Sequence, residues 1–396
     1  MEIFGRQFFT KKEVETTTEN NMSFNAYDML NNYLEPDFER YTGNGYIYFG
    51  QDNLYPQYLN DLYNKSALHA AVTKFAGGLI SGGGYEIDGE QSLAPMKKVE
   101  LKQFLNLIDG QNSLEKTLTE ITQDYLVHST VYFKVFWNSD KSRILKLKRV
   151  EPSKIRIGIN NNNAEEIETY YYNFDWRNYG RYETIEYKPF NPLEKDSERC
   201  EIYRFILPNP AVNWYTLPSY ASATEVIELD AETATYHRAN IQNSINPSML
   251  IKFYQKPANP EEERAIQNNI RKTFKGAANT GKAMTLFSDG KDLAPDVEPV
   301  VTSQIDKQFI NLEDMVSRKI LYGHRINPLI VGLKTPGSLG NSTELEVAFE
   351  IYQKTVIEPA QKDIESIINT FLHINGLTVT FKLNDVELYA PKTEQK

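Results

Sequence analysis

The chain has one cysteine, Cys200, in 396 residues, and that scarcity removes two chemistries at once. A lone thiol forms no intrachain disulfide and builds no cysteine-based metal cluster. Histidine is scarce too, five in all. His128 stands at a helix-to-strand junction with no second histidine or cysteine near it, so it reads as a packed or capping side chain. No stretch approaches membrane-spanning length and the N-terminus MEIFGRQFFTKKEVE has no apolar h-region, so a soluble intracellular product without a membrane partner is expected. Positive charge is also short: 43 lysines and arginines against 53 aspartates and glutamates give a formal net charge of -10. Tight DNA binding works by neutralising phosphates from a basic surface, which this balance disfavours. Nucleophile elbow, HExxH and phosphate loop are all missing. The triple glycine Gly82–Gly84 has neither phosphate-motif spacing and follows a helix, so it reads as a turn or C-cap. No cofactor and no metal are expected, and a hydrolase using the abundant acids and tyrosines is the weakest reading.

What is present is regular architecture on a 40% hydrophobic chain, enough for a sizeable core and more than one module. Residues 1–45 are polar, with little periodicity, and read as an arm. Tyr58, Leu62, Leu68, Val72 and Phe75 then share one helical face, with an end expected at Gly77–Gly78. Residues 97–125 give two helical stretches split by Gly110, the second opened by a capping box from Asn112 to Glu115. Period-two alternation follows in TVYFKVFW and RILKLKRVEPSKIRIGI, and the β character continues through IETYYYNF and CEIYRFIL.

After Pro208 and Pro210 a long helix opens with Pro218 near its first turn. Tyr220, Ala223, Ile227, Ala231 and Ala234 form one face, small enough for another helix to come close. Glu225, Glu228 and Glu232 form a second stripe, which reads as a solvated or channel-facing surface rather than an acid–base pair. A β–α–β unit follows: SMLIKFYQ, a helix with acids first and bases last, and GKAMTLFSDG. Arg271, Lys272 and Lys275 cluster at that helix end, where the macrodipole alone accounts for them and a partner-binding role is the alternative. The next helix has an apolar stripe of Ile305, Phe309, Leu312, Val316 and Ile320, with Lys307, Asn311, Asp314 and Arg318 opposite. Then comes GLKTPGSLGNST, a glycine-rich loop with a single cation. A capping box from Thr343 to Glu346 starts a last long helix, in which Pro359 is expected to place a kink. The alternating strand GLTVTFKLNDVELYA closes the chain.

The order of these elements resembles the portal proteins of tailed bacteriophages, especially their compact family. FLNLIDGQNSLEKTLTEITQDYLVHSTVYFKVFWNSDKSRILKLKRVEPSKIRI is similar to the family's helix, turn, aromatic strand and leucine–proline strand, although His128-Ser129 stands where glycine–asparagine is frequent. ANTGKAMTLFSDG and INPLIVGLKTPGSLGNSTELEVAFEIYQKTVIEPAQKDIESIIN resemble two further blocks, and the likeness spans roughly residues 50–385. It implies an α+β portal fold, with a wing from residues 46–217, stem helices at 218–243 and 302–326, and an α/β clip at 244–301. A tunnel loop at 327–343, a long kinked helix with a last wing strand at 344–396, and a minimal or absent crown complete it.

The resemblance also implies a function: a homo-oligomeric ring, typically twelvefold, at one capsid vertex of the virion, assembled in the host cytoplasm. Double-stranded DNA passes through its tunnel without sequence preference. Large terminase, capsid protein and a head–tail adaptor are the implied partners. Lys334, Thr335, Ser338 and Asn341 would face DNA from the loop. Glu225, Glu228, Glu232, Lys307 and Arg318 would lie on the stem, and Arg271, Lys272 and Lys275 would meet clip partners. A virion or adaptor protein that conducts no DNA is the main alternative.

Overall fold

The computed structural model describes residues 38–41, 45–160, 166–194, 198–243, 249–253, 257, 259–274, 283–287, 302–332 and 342–386. Within the stretch read as an arm, Glu39–Tyr41 forms a strand, β1, on β2 (Ile47–Phe49). Its anchor is the Glu39 carboxylate, which accepts backbone N–H groups of Asn213, Trp214 and Tyr215 at 2.6–2.8 Å.

Two helices follow, α1 (Tyr55–Lys65) and α2 (Ala67–Ser81). One continuous helical pattern is broken at Ser66, whose extended backbone lets its hydroxyl accept the His69 N–H at 3.2 Å as an N-cap. The second helix runs through Gly77 and Gly78 instead of ending there. Burial of Val72, Ala76, Leu79 and Ile80 carries it past two residues of low propensity. The glycines after it behave as read: Gly82 is the C-cap and Gly84 has φ +75, a turn conformation.

Past β3 (Tyr85–Asp88) come α3 (Pro95–Asn106) and α4 (Leu114–His128). The capping box expected from Asn112 is not formed. Asp109 instead accepts the Gln111 and Asn112 N–H groups at 2.7 and 2.5 Å, holding Asn112 in the preceding turn and leaving Ser113 at the cap position.

The strands β4 (Thr130–Trp137), β5 (Ile144–Val150), β6 (Ile155–Ile159), β7 (Ile167–Tyr172), β8 (Ile185–Pro189) and β9 (Cys200–Ile206) join β1 and β2 in one eight-stranded sheet. Its order is β1-β2-β6-β7-β8-β9-β4-β5, antiparallel except for a two-residue parallel pairing of β8 with β9. One buried cation ties the sheet to α1: Arg156, fully buried, donates to Asn53 Oδ1 at 2.6 Å, Ile155 O at 2.7 Å, Gln57 Oε1 at 3.1 Å and the Asn53 carbonyl. Burial lowers its pKa to about 10, which still leaves it charged at neutral pH.

The chain continues through α5 (Thr224–Asn243), β10 (Met249–Phe253), α6 (Pro260–Phe274), β11 (Ala283–Phe287) and α7 (Thr302–Gly323). β10 and β11 pair in parallel over five residues, the β–α–β unit that the sequence suggests. The long C-terminal helix is divided. Regular α8 (Ser342–Tyr352) gives way to a π turn (Gln353–Ile357) and then α9 (Glu358–Ile374). The irregularity therefore precedes Pro359, which occupies the first turn of α9, where its missing N–H is tolerated. Because α8 already includes Ser342, Thr343 lies inside the helix rather than capping it.

β12 (Thr380–Leu383) returns to pair antiparallel with β3, Phe381 opposite Ile87. The largest core gathers α2, α3 and α4, the β4–β5 hairpin, α9 and β12; Phe133, Ile364, Phe371 and Phe381 are fully buried in it. A second core lies between the sheet and Tyr215 and Leu217. A third joins Leu59 and Leu62 of α1 to Tyr220, Ile227, Val316 and Ile320.

Candidate functional site

α5 and α7 pack as an antiparallel pair. Ala223, just before α5, lies against Gly323 at the end of α7, while His237 comes within 3.5 Å of Glu313. The small-residue face predicted for close approach is in use at this crossing: a Cβ on Gly323 would stand closer than 3.0 Å to the Ala223 methyl. Farther along, Ile227, Val316 and Ile320 are buried between the helices, in line with the predicted stripes.

The outward faces are different. Glu225, Glu228 and Glu232 are exposed on α5. Glu228 is held in place by the Tyr58 hydroxyl, which donates to it at 3.0 Å. Arg318 is committed locally, its guanidinium 2.8 Å from Asp314 one turn earlier. Beside these charges α7 exposes Ile310, Met315 and Tyr322, and α5 exposes Tyr236. Met315 and Tyr322, seven residues apart, fall on one line of α7, whereas Ile310 stands across the polar stripe from them.

The base of the pair is pinned to the body by polar ties that sequence reasoning missed. Ser66 donates to Asp230 Oδ2 at 2.7 Å, and the Tyr220 hydroxyl donates to the Val127 carbonyl at 2.8 Å. His69 Nδ1 and His324 Nε2 share one hydrogen bond at 2.8 Å, with the Tyr220 ring against both imidazoles. Burial lowers the pKa of both histidines, so the bond joins neutral rings. The two residues are 255 positions apart, and no local pattern connects them. His128 bears out its packed reading: it is buried, 2.9 Å from the Asn60 side chain, and pushed down to about 4.

The glycine-rich loop leaves a well-built shoulder. Ile326 and Pro328 are buried, Ile330 and Val331 pack on the main core, and Gly332 turns outward with φ +78. Lys334, Thr335, Ser338 and Asn341 lie outside the described residues. Arg271 and Lys272 fall in the last turn of α6, with their side chains, and all of Lys275, outside the described set. The Lys307 side chain is outside it as well; its backbone lies in α7.

The described residues thus bring together a long antiparallel helix pair, a parallel strand pair that lies between those helices in the sequence, and a helix broken by a π turn. Among the described residues no cluster of three or more histidine, cysteine or acidic side chains is placed to hold a metal. A family model described as phage portal protein matches residues 108–396. The chain belongs to the phage portal protein family, whose members are structural proteins rather than enzymes.

The fold is similar to that of a chain in the neck of an empty GTA particle computed with C6 symmetry. That match has a TM-score of 0.56 at 14% identity and covers 83% of this chain and 84% of the other. It is similar also to a chain in the virion of the native gene transfer agent (GTA) particle, with a TM-score of 0.54 at 14% identity over 84% of this chain and 85% of that one. A third match, in the neck of the native GTA particle computed with C12 symmetry, has a TM-score of 0.53 at 14% identity over 83% and 84%. At such identity the likeness is one of fold alone. No curated protein matches the sequence.

Proposed function

We infer that this chain assembles head to tail into a ring at a single capsid vertex and serves there as a passage for double-stranded DNA. One observation carries the reading: the antiparallel pair α5–α7 keeps Met315 and Tyr322, on one line of α7, in water, and an apolar line on a long helix suits a neighbouring helix. Family membership makes a second copy the natural neighbour, and a dodecamer is the ring size we propose. In this reading α5 and α7 form the stem, residues 244–301 between them form the clip, and residues 327–343 form a loop facing the channel. Residues 46–217 and 344–396 make up the wing. Large terminase and the head–tail adaptor dock on the clip side, capsid protein on the wing, and assembly takes place in the host cytoplasm.

The charge pattern suits a conduit. Each phosphate that a lysine or arginine neutralises strengthens binding through counterion release, so a passage that must let its cargo slide needs few free cations. The exposed Glu225, Glu228 and Glu232 and the locally paired Arg318 fit that requirement. Negative-stain images and mass photometry of the purified full chain test the proposal. Rings with a central hole are expected; a monodisperse monomer at micromolar concentration, with and without capsid protein, would sink it.

A further inference from the structure

A cavity of about 390 Å³ opens where α2 lies against α4, lined among others by Lys74, Gly77, Gly78, Ser81, Gln123 and Leu126. Its glycines divide into two kinds. A Cβ on Gly77 would touch Leu126 and Thr122 at ordinary van der Waals distance, whereas one on Gly78 would meet nothing within 4 Å. Apart from proline, glycine is the residue least suited to a helix interior, and nothing in this subunit calls for it at 78. Lys74, one turn earlier, lies over the Tyr63 ring, and among the described residues it forms no ion pair with a carboxylate.

The same chain carries the complementary shape. In α8, Glu344, Val347 and Ile351 fall on one helical stripe by their spacing of three and four. All three are exposed, the last two at 51% and 58%. Within its own subunit α8 turns Phe349 and Tyr352 onto the main core, which leaves this stripe uncovered. Acid and first apolar residue are about one turn apart on α8, as are lysine and free glycine on α2. Laid side by side, Glu344 meets Lys74, Val347 meets the open backbone at Gly78, and Ile351 reaches the level of Ser81.

We propose that the α2–α4 groove receives the Glu344–Val347–Ile351 face of α8 from the neighbouring copy, an assignment that rests on the ring reading above. The two surfaces are different, so the contact is heterologous. Repeated from copy to copy, such a contact closes into a ring when the rotation permits. It also supplies a reason for the helix break at Gln353–Ile357: the π turn sets the direction in which α8 leaves its own subunit.

Cysteine pairing tests the contact in a Cys200→Ser full-length background. Gly78→Cys and Val347→Cys subunits, mixed and treated with a short bis-maleimide, should give a covalent dimer that neither variant gives alone. The double variant should give a ladder of multimers. In parallel, Gly78→Trp should leave monomer melting unchanged and weaken assembly at least roughly tenfold, the effect of losing one good contact. Lys74→Glu should weaken assembly and Glu344→Lys should restore it. Rings by mass photometry without any crosslink in the mixture would overturn the groove assignment and leave the ring reading intact. A wild-type chain that stays monomeric would overturn both.

Discussion

Gly323→Ala is the most direct probe of the α5–α7 crossing. The added methyl would stand closer than 3.0 Å to the Ala223 methyl, and a methyl carried directly on the backbone has no rotamer through which to escape. The helices must part or twist. Small-to-large changes in packed contacts cost about 1–3 kcal/mol. The better helix propensity of alanine offsets at most about 1 kcal/mol of that, and less at a terminal residue such as this. A net loss of about 1–2 kcal/mol follows. Gly78→Ala is the matched control, since its Cβ would meet nothing, and it should be neutral or stabilising. Thermal melts of both variants at equal concentration measure the contrast, and the cycle Ala223→Gly with Gly323→Ala isolates the clash, with a coupling of at least about 1 kcal/mol expected. If Gly323→Ala melts with wild type and the cycle shows no coupling, the close approach of α5 and α7 is not as described.

Other expectations concern charge. Burial holds His128 down at about 4, so the unfolded chain takes up a proton below pH 6.5 that the folded chain refuses. The stability contributed by the neutral ring is complete above 6.5 and falls away toward 4 at about 1.4 kcal/mol per pH unit. His69 and His324 act in the same direction, while Asp124, raised to about 6 chiefly by burial, acts in the opposite one. His128→Gln should therefore flatten the fall of the urea midpoint between pH 6.5 and 5; an unchanged slope would refute this. Lys334→Ala should leave folding and assembly intact but alter DNA retention, most visibly at low salt, because each exposed lysine–phosphate contact is worth about 1 kcal/mol or less. Packaging equal to wild type in that variant, and in one lacking residues 337–340, would remove the loop from the DNA path. Reversing the charges of Arg271, Lys272 and Lys275 should weaken binding of terminase or adaptor in pull-downs while rings persist; undiminished binding of both would reduce the cluster to a helix terminus.

Local periodicity announced the elements whose burial is local. The stripe Val316–Ile320 of α7, the alternation in TVYFKVFW and the β–α–β order between α5 and α7 were all readable, because each side chain's fate follows from its own helix or strand. The pairings that close the molecule were not. β8 alternates poorly, with Ile185 and Glu186 both exposed, and it is held by β7 and a short parallel contact with β9. The hydroxyl of Ser66 caps α2 and also donates to Asp230, 164 residues away, a tie that no local pattern announces. The π turn gives no signal of its own in QKTVI, and proline, the visible punctuation, sits just beyond it. Beside the α5–α7 crossing, the pair His69–His324 depends on two distant helix ends meeting at Tyr220. Chemistry of that kind is set by topology, which a single sequence does not disclose.

The pairing of β3 with β12 has a consequence for how the molecule is made. Asp88 faces Thr380, and α9, which fills much of the main core, lies on the same late stretch of chain. A ribosome adding about 5–20 residues per second leaves the early half of that core waiting on the order of 15–60 seconds for its other half. During that interval α2, α3 and α4 hold their apolar faces open, a natural point for chaperone engagement. Chains ending prematurely before residue 358 lack α9 and β12 altogether and cannot cover those faces. Only chains that extend through β12 close this core, so the topology makes a finished core depend on the last described strand.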